Sequence, residues 1–263
     1  MSGPLPIARD HPPAHVRLVL LHSPIVGPDT WLPVAEALRA RACQVVLPRL
    51  TSEAAPPFWE AHVAAVVEAI GDPGHHPSPL VLVLHSGAGQ LADHLAAQLD
   101  DLGHTVEATL FVDAGLPTRG RSRIAQLRLE DPQIADHLQA LLRSGERFPD
   151  WTDAQLRELV PDAARRRRLL DGVRNLPAEY WEEPIPAVGA PDHHRAVLLL
   201  SEGYGAAAEA AEKAGWPVVD LGSGNHFLAL AEEELVCQAV LGLIDVLITH
   251  PTPDLGRRAP EGP

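Results

Sequence analysis

A chain of 263 residues with 46% hydrophobic and 21% charged residues has the composition of a folded globular protein, long enough for one large α/β domain or two small ones. Its formal charge of −14 at pH 7 repels phosphate backbones and anionic lipid surfaces. These properties disfavour nucleic acids and membranes as partners, so we expect a small-molecule substrate and a monomer or homodimer. Residues 1–15 lack the pattern of a secretory signal, and no apolar run approaches the roughly 20 residues that span a bilayer, so we expect a cytoplasmic protein.

Short apolar runs alternate along the chain with longer amphipathic segments, which is the pattern of a parallel sheet covered by helices on both faces. The fold class is therefore α/β, with core helices that connect consecutive strands and one that follows the last strand. We predict six strands at 16–21, 44–47, 80–84, 109–113, 196–200 and 218–221. The predicted core helices are 30–42, 57–70, 89–102, 206–214 and 232–247.

The interval from 116 to 192 contains no strand-like run. A structureless loop of that length is rare in a compact domain, so we predict helices at 121–129, 132–144, 152–159 and 162–173. They would form a helical cap inserted between two strands. The predicted organisation is an N-terminal extension (1–15), a core (16–115 and 193–250), a cap (116–192) and a flexible tail (251–263).

Ser86 stands at a predicted strand-to-helix turn. The stretch LVLVLHSGAG, residues 80–89, puts an apolar strand directly before Ser86 and small residues directly after it. A serine at so sharp a turn adopts a strained backbone conformation, and its neighbours must be small to avoid a clash. Gly87 and Gly89 meet this need, although Leu84 occupies the place of the first glycine in the G-x-S-x-G pattern. We predict that Ser86 is a nucleophile; the alternative is a serine that only caps a helix.

His226 follows the last predicted strand in the sequence GSGNHF, residues 222–227. The carboxyl ends of parallel strands share one edge of the sheet, where catalytic groups collect, and Ser86 opens onto the same edge. A hydroxyl is a weak nucleophile near neutral pH, and histidine is the base whose pKa lies near that range. We therefore predict that His226 is the base for Ser86; the alternative is a solvated loop histidine.

The order of these motifs resembles the α/β-hydrolase superfamily over nearly the whole chain, from 16 to 247. The resemblance rests on a first strand ending in His22-Ser-Pro, an elbow His85-Ser86-Gly, a helical segment, and a final Gly-Asn-His226-Phe. It implies a mostly parallel six-stranded sheet with a helical cap before the penultimate strand, lacking the superfamily's first two strands because little chain precedes the first one. It also implies an esterase-like serine hydrolase that uses a Ser-His-acid triad.

Two carboxylates are candidates for the triad acid that orients the histidine. In this superfamily the acid usually follows the penultimate strand, where Glu202 stands about two residues before the usual position, near Tyr204. Less often it follows the strand after the nucleophile helix. Asp113 occupies that position, where enzymes resembling haloalkane dehalogenases carry their acid. We favour Asp113 and keep Glu202 as the alternative.

The oxyanion hole of this superfamily normally uses the backbone N–H of the residue after the nucleophile, here Gly87, and a second N–H after the first strand. In that loop Ser23 replaces the usual glycine, and Pro24, which has no N–H, falls at the donor position. The second donor is then the N–H of Ile25, the hydroxyl of Ser23, or absent. Loss of one donor typically costs about 10²–10³ in rate, so Pro24 raises the question of whether the chain hydrolyses esters.

We expect His22, Trp151 and Trp181 to contact the substrate, because aromatic side chains commonly wall such sites; packing within the cap is the alternative for the tryptophans. Neither a metal nor a cofactor is expected, because adjacent histidines at 75–76 and 193–194 lack a second ligand cluster and nucleotide-binding motifs are missing. Two rivals to the hydrolase hypothesis are a cofactor-free lyase or isomerase with His226 as general base, and a non-catalytic protein that binds a small molecule or partner.

Overall fold

A computed structural model describes residues 16–50, 55–74, 78–117, 119–146 and 148–249. Within these ranges six strands form one sheet in the order β2-β1-β3-β4-β5-β6, and every neighbouring pair is parallel. The strands are β1 (Arg17–Leu21), β2 (Gln44–Val46), β3 (Leu80–Ser86), β4 (Val106–Ala114), β5 (His194–Leu199) and β6 (Val218–Asp220). The predicted N-terminal extension and C-terminal tail lie outside the described residues.

Helices cover both faces of the sheet, which explains why β3 is buried at every position. On one face Val81 and Val83 pack with α1 (Leu32–Ala40) and α11 (Glu233–Thr249). On the other face Leu82 and Leu84 pack with three further helices, namely α2 (Phe58–Ile70), α3 (Ala92–Asp101) and α9 (Gly205–Lys213). All six predicted strands and all five predicted core helices are therefore present, and the α/β prediction is confirmed.

The boundaries differ from the prediction where the chain turns most sharply. The helix predicted at 89–102 begins as a 3₁₀ turn over Gly87–Leu91 and becomes α-helical only at Ala92, because the glycines adopt the tighter turn. A short helix α10 (Leu228–Ala231) precedes α11 and was not predicted. None of the helices in the described ranges is both long and apolar enough to cross a membrane.

Between β4 and β5 the described residues form five helices, which we call the inserted helices. They are α4 (Arg123–Glu130), α5 (Pro132–Ser144), α6 (Asp153–Leu156), α7 (Ala163–Asp171) and α8 (Ala178–Glu182). Four of them, α4 to α7, begin at a side-chain cap: for example, Asp131 accepts hydrogen bonds at the start of α5, and Thr152 forms a capping box before α6. Sequence missed α8, because five residues are too few to show helical periodicity.

The turn after β3 approaches the end of β4 closely at Gly89. A Cβ atom built on Gly89 would lie 2.1 Å from the carbonyl oxygen of Gly115 and 3.0 Å from the Cβ of Ala114. Glycine at this position therefore lets the turn that carries Ser86 pack directly against β4.

We predict that Gly89→Ala lowers the free energy of unfolding by about 1–3 kcal/mol, because the turn or the end of β4 must shift to relieve overpacking. Denaturant-induced unfolding measures the change. Gly205→Ala is the matched control, since nothing lies within 4 Å of its added Cβ and it begins α9; its stability should hold or rise slightly. Equal losses in the two variants would contradict the packing argument.

Candidate active site

Ser86 is the last residue of β3 and has a strained backbone. Its φ of 58° and ψ of −129° are rare for a residue with a side chain, and strain of this kind costs on the order of 1–3 kcal/mol. The strand before Ser86 and the 3₁₀ turn after it hold this conformation. The side chain consequently lines a cavity at the carboxyl edge of the sheet.

Asp113 lies near the end of β4, is fully buried, and also has a positive φ, 43°. Its Oδ1 accepts hydrogen bonds from the backbone N–H groups of Leu200 (2.9 Å) and Ser201 (2.8 Å), and its Oδ2 accepts one from the Ser201 hydroxyl (2.6 Å). These donors follow β5, so the carboxylate joins the ends of two neighbouring strands.

His226 makes a hydrogen bond of 2.6 Å from its Nδ1 to Oδ2 of Asp113. An ionised carboxylate only accepts hydrogen bonds, so Nδ1 carries the proton and Nε2 is left for acid–base chemistry. Burial by itself raises the pKa of the Asp113 carboxyl, but hydrogen bonds from His226 and Ser201, together with the charge of His226, outweigh it and lower the pKa. The carboxylate form is therefore favoured beside the imidazole.

The imidazole of His226 lies between two aromatic rings. The His85 ring stacks on it at 4.5 Å between centroids and an angle of 25°, and the Tyr204 ring stacks on it at 5.4 Å and 17°. His85 also donates a hydrogen bond from Nε2 to the backbone oxygen of His226 (3.1 Å). Burial, followed by the charge of His226, lowers the pKa of His85, so this ring stays neutral. These contacts fix the plane of the His226 ring.

The loop that carries His226 is braced by its neighbours. The Ser223 hydroxyl donates to the backbone oxygen of Leu200 (2.8 Å), and Asn225 donates from Nδ2 to the backbone oxygen of Leu159 in the inserted region (2.8 Å). The same Asn225 accepts the N–H of Phe227 at Oδ1 (2.9 Å). The loop is thus tied both to the sheet and to the inserted helices.

The hydroxyl of Ser86 lies 3.0 Å from the hydroxyl of Tyr204, and in this structure its hydrogen-bond partner is Tyr204 rather than His226. Tyr204 ends a short 3₁₀ turn, Glu202–Tyr204, that follows β5. Burial raises the pKa of the Tyr204 phenol despite the hydrogen bond to Ser86, so the phenol remains protonated. Ser86 and His226 therefore both contact Tyr204 at the same edge of the sheet.

The structure brings Asp113, and not Glu202, to His226. Glu202 is exposed in the turn after β5. His22 is buried and is not among the residues that line the cavity, so the structure gives no support to the expectation that it contacts substrate. Its Nδ1 bonds the backbone oxygen of Ser23 (2.8 Å), its Nε2 accepts the N–H of Leu50 (3.3 Å), and burial lowers its pKa to about 4. The His22 imidazole thus links the chain segment after β1 to the segment after β2 through these two hydrogen bonds.

The loop after β1 lies beside Gly87. A Cβ built on Gly87 would be 3.2 Å from the Ser23 hydroxyl oxygen and 3.7 Å from Cδ of Pro24. The proline therefore presents a ring carbon near the place where a second N–H donor is usual, and the Ser23 hydroxyl lies next to it. Ile25 lines the cavity, and its backbone oxygen accepts the N–H of Arg174 (2.8 Å).

The cavity over Ser86 has a volume of about 350 Å³, within the range of small-molecule sites. Trp151 and Trp181 line it, Trp151 packing edge-on against Phe227 and Trp181 against Phe148, and their contact with a substrate stays a prediction. Its wall is largely apolar and also includes residues of α4 and α5.

Sequence reasoning missed the roles of Tyr204, Ser201 and His85. Their only signal is position, since Ser201 and Tyr204 closely follow a predicted strand and His85 directly precedes Ser86. Which neighbours they contact depends on the tertiary packing.

Comparison with known proteins agrees with the fold. The chain matches the model of the alpha/beta hydrolase family over residues 18–239, and it belongs to this family. No curated protein matches the chain in sequence.

Several solved structures share the fold at low sequence identity. An extracellular α/β-hydrolase from a Paenibacillus species is 16% identical, over 86% of this chain and 98% of that one, with a TM-score of 0.68. Tomato methylketone synthase I, solved with 2-tridecanone, is 13% identical over 88% of this chain and 98% of that one, with a TM-score of 0.64. Polyneuridine aldehyde esterase is 14% identical over 88% of this chain and 99% of that one, with a TM-score of 0.63. At these identities the likeness establishes the fold alone.

Proposed function

We propose that the protein is a serine hydrolase that cleaves an ester, thioester or related bond of a small molecule through Ser86, His226 and Asp113, without a cofactor. The observation that carries the proposal is the 2.6 Å hydrogen bond from His226 to Asp113, together with a serine of φ 58° that lines the same cavity as His226. The cytoplasmic location and the oligomeric state stay predictions.

In the proposed reaction Ser86 Oγ attacks the carbonyl carbon while its proton passes to Nε2 of His226. The hydroxyl must first exchange its hydrogen bond to Tyr204 for one to His226. His226 then gives the proton to the leaving oxygen or sulfur, and a water molecule attacks the acyl-serine with His226 again as base. Asp113 stabilises the imidazolium and holds its ring in place throughout.

Negative charge on the tetrahedral intermediate requires hydrogen-bond donors. The backbone N–H of Gly87 is the first in this proposal. For the second we favour the Ser23 hydroxyl, because it lies beside Gly87 where Pro24 has removed the usual N–H. The N–H of Ile25 is the alternative.

A second candidate function is a lyase or isomerase reaction with His226 as general base. It is favoured by two observations, the bond of the Ser86 hydroxyl to Tyr204 and the loss of one N–H donor at Pro24. In such a reaction Ser86 would not become acylated.

We predict that a fluorophosphonate probe phosphonylates Ser86 with loss of fluoride, as located by peptide mass spectrometry. Ser86→Ala should abolish labelling, and Asp113→Asn should slow ester hydrolysis by about 10⁴-fold because the imidazole loses its orienting carboxylate. Ser144→Ala, which changes an exposed serine, is the matched control. A folded wild-type protein that is not labelled would refute the nucleophile and favour the lyase alternative.

Ser23→Ala should lower kcat for an ester substrate by about 10²–10³ if the hydroxyl is the second oxyanion donor. Steady-state kinetics measure kcat, and thermal unfolding verifies that the variant is folded. An unchanged kcat would show that the Ser23 hydroxyl is not the second oxyanion donor and would favour the backbone N–H of Ile25.

A further inference from the structure

One corner of the cavity carries polar groups that the proposed reaction does not use. Gln90 from the turn after β3, Gly115 after β4 and Glu130 at the end of α4 all line the cavity. The Nε2 atom of Gln90 and the Oε1 atom of Glu130 each lie 3.6 Å from the point where a Cβ on Gly115 would sit. We call these three residues the polar corner. The missing side chain at Gly115 leaves the space between the amide and the carboxyl open.

The polar corner adjoins the proposed nucleophile. The backbone N–H of Gly115 donates to the backbone oxygen of Ser86 (3.3 Å), and Gln90 belongs to the 3₁₀ turn that begins directly after Ser86. Glu130 is also close enough for its charge to raise the pKa of Tyr204. A substrate that reaches Ser86 therefore has part of its structure near this corner.

The polar corner has unused hydrogen-bonding capacity. Gln90 is only 7% exposed, and the atom that it turns towards the open space at Gly115 is its amide Nε2, a hydrogen-bond donor. Glu130 accepts one hydrogen bond, from Nε2 of Gln126 (2.9 Å), which leaves further lone pairs on its carboxyl group. The corner therefore fits a ligand group that both accepts and donates a hydrogen bond.

A neutral group fits better than an ion. Burial raises the pKa of Glu130, which means that the surroundings disfavour a charge at this carboxyl. An anionic ligand group would face the carboxyl of Glu130. Arg123, a cation in the cavity wall, donates from Nη1 to the backbone oxygen of Tyr180 (3.2 Å) and lies 4.0 Å from the centroid of the Tyr180 ring and 3.6 Å from the Glu183 carboxyl. Its Nε and Nη2 are buried and have no hydrogen-bond partner among the described residues.

We propose that the polar corner binds a hydroxyl group of the substrate, so that the enzyme acts on hydroxy-substituted esters whose carbon chain lies along the apolar wall of the cavity. This inference rests on the proposed hydrolase function. The hydroxyl accepts a hydrogen bond from Nε2 of Gln90 and donates one to the carboxyl of Glu130, and the rest of the substrate contacts side chains such as Leu127 and Trp181, which line the same cavity.

The test compares matched esters that differ only in a terminal hydroxyl or methyl group. One pair, p-nitrophenyl 6-hydroxyhexanoate and p-nitrophenyl heptanoate, varies the acyl part; the other, 4-hydroxybutyl acetate and pentyl acetate, varies the alcohol part. In at least one pair we expect kcat/KM of the wild type to favour the hydroxylated ester by about tenfold, the value of one hydrogen bond to a buried acceptor. The ratio within a pair is independent of the amount of folded enzyme.

Two variants locate the effect. Gln90→Met removes the amide at similar volume, and Gly115→Ala fills the corner with a methyl group in ordinary contact, 3.6 Å from its neighbours. Each variant should bring the ratio of kcat/KM between the hydroxylated ester and its methyl counterpart close to one. Glu182→Gln, at an exposed position of α8, is the control and should keep the wild-type ratio.

The outcomes separate the two proposals. Wild type that hydrolyses none of the four esters and resists the fluorophosphonate probe overturns the hydrolase function. Equal hydrolysis of both members of each pair by the wild type overturns the polar corner alone, and so does a hydroxyl preference that persists in either Gln90→Met or Gly115→Ala.

Discussion

The arrangement of the site depends on one buried carboxylate. Asp113 accepts hydrogen bonds from two backbone N–H groups and a hydroxyl after β5 and from the imidazole of His226 after β6. Burying a charge is costly unless it is fully hydrogen-bonded, and here four donors offset that cost. Segments more than 80 residues apart in the chain are thereby held at one edge of the sheet. Without the carboxylate, those donors would be buried without an acceptor.

The same interaction sets what the imidazole can do. With Nδ1 bound to Asp113 and the ring held between His85 and Tyr204, Nε2 is the nitrogen left for proton transfer. Ser86 is held separately, by the backbone strain of the turn after β3 and the close packing at Gly89. The two groups meet at Tyr204, whose hydroxyl bonds Ser86 and whose ring covers His226. Tyr204 thus occupies the region where the superfamily usually carries its acid, while Asp113 contacts the imidazole from β4.

Sequence periodicity was sufficient for the sheet, because buried parallel strands are continuous apolar runs and amphipathic helices separate them. It also located Ser86, His226 and Asp113, since each directly follows a predicted strand or, for Asp113, ends one. It did not choose decisively between Asp113 and Glu202, because the choice depends on which carboxyl group turns inward. For a related reason the sequence does not show that Leu50 and Ser23 occupy both ring nitrogens of His22.

The most direct test of the central claim is ¹⁵N NMR of the His226 ring, assigned among the 14 histidines by comparison with a His226→Gln variant. At a pH where the ring is neutral, we predict that the proton resides on Nδ1 in the wild type and that this preference is lost in Asp113→Asn. A neutral ring with its proton on Nε2 in the wild type would contradict the account, because Nε2 would then have no lone pair to accept the Ser86 proton.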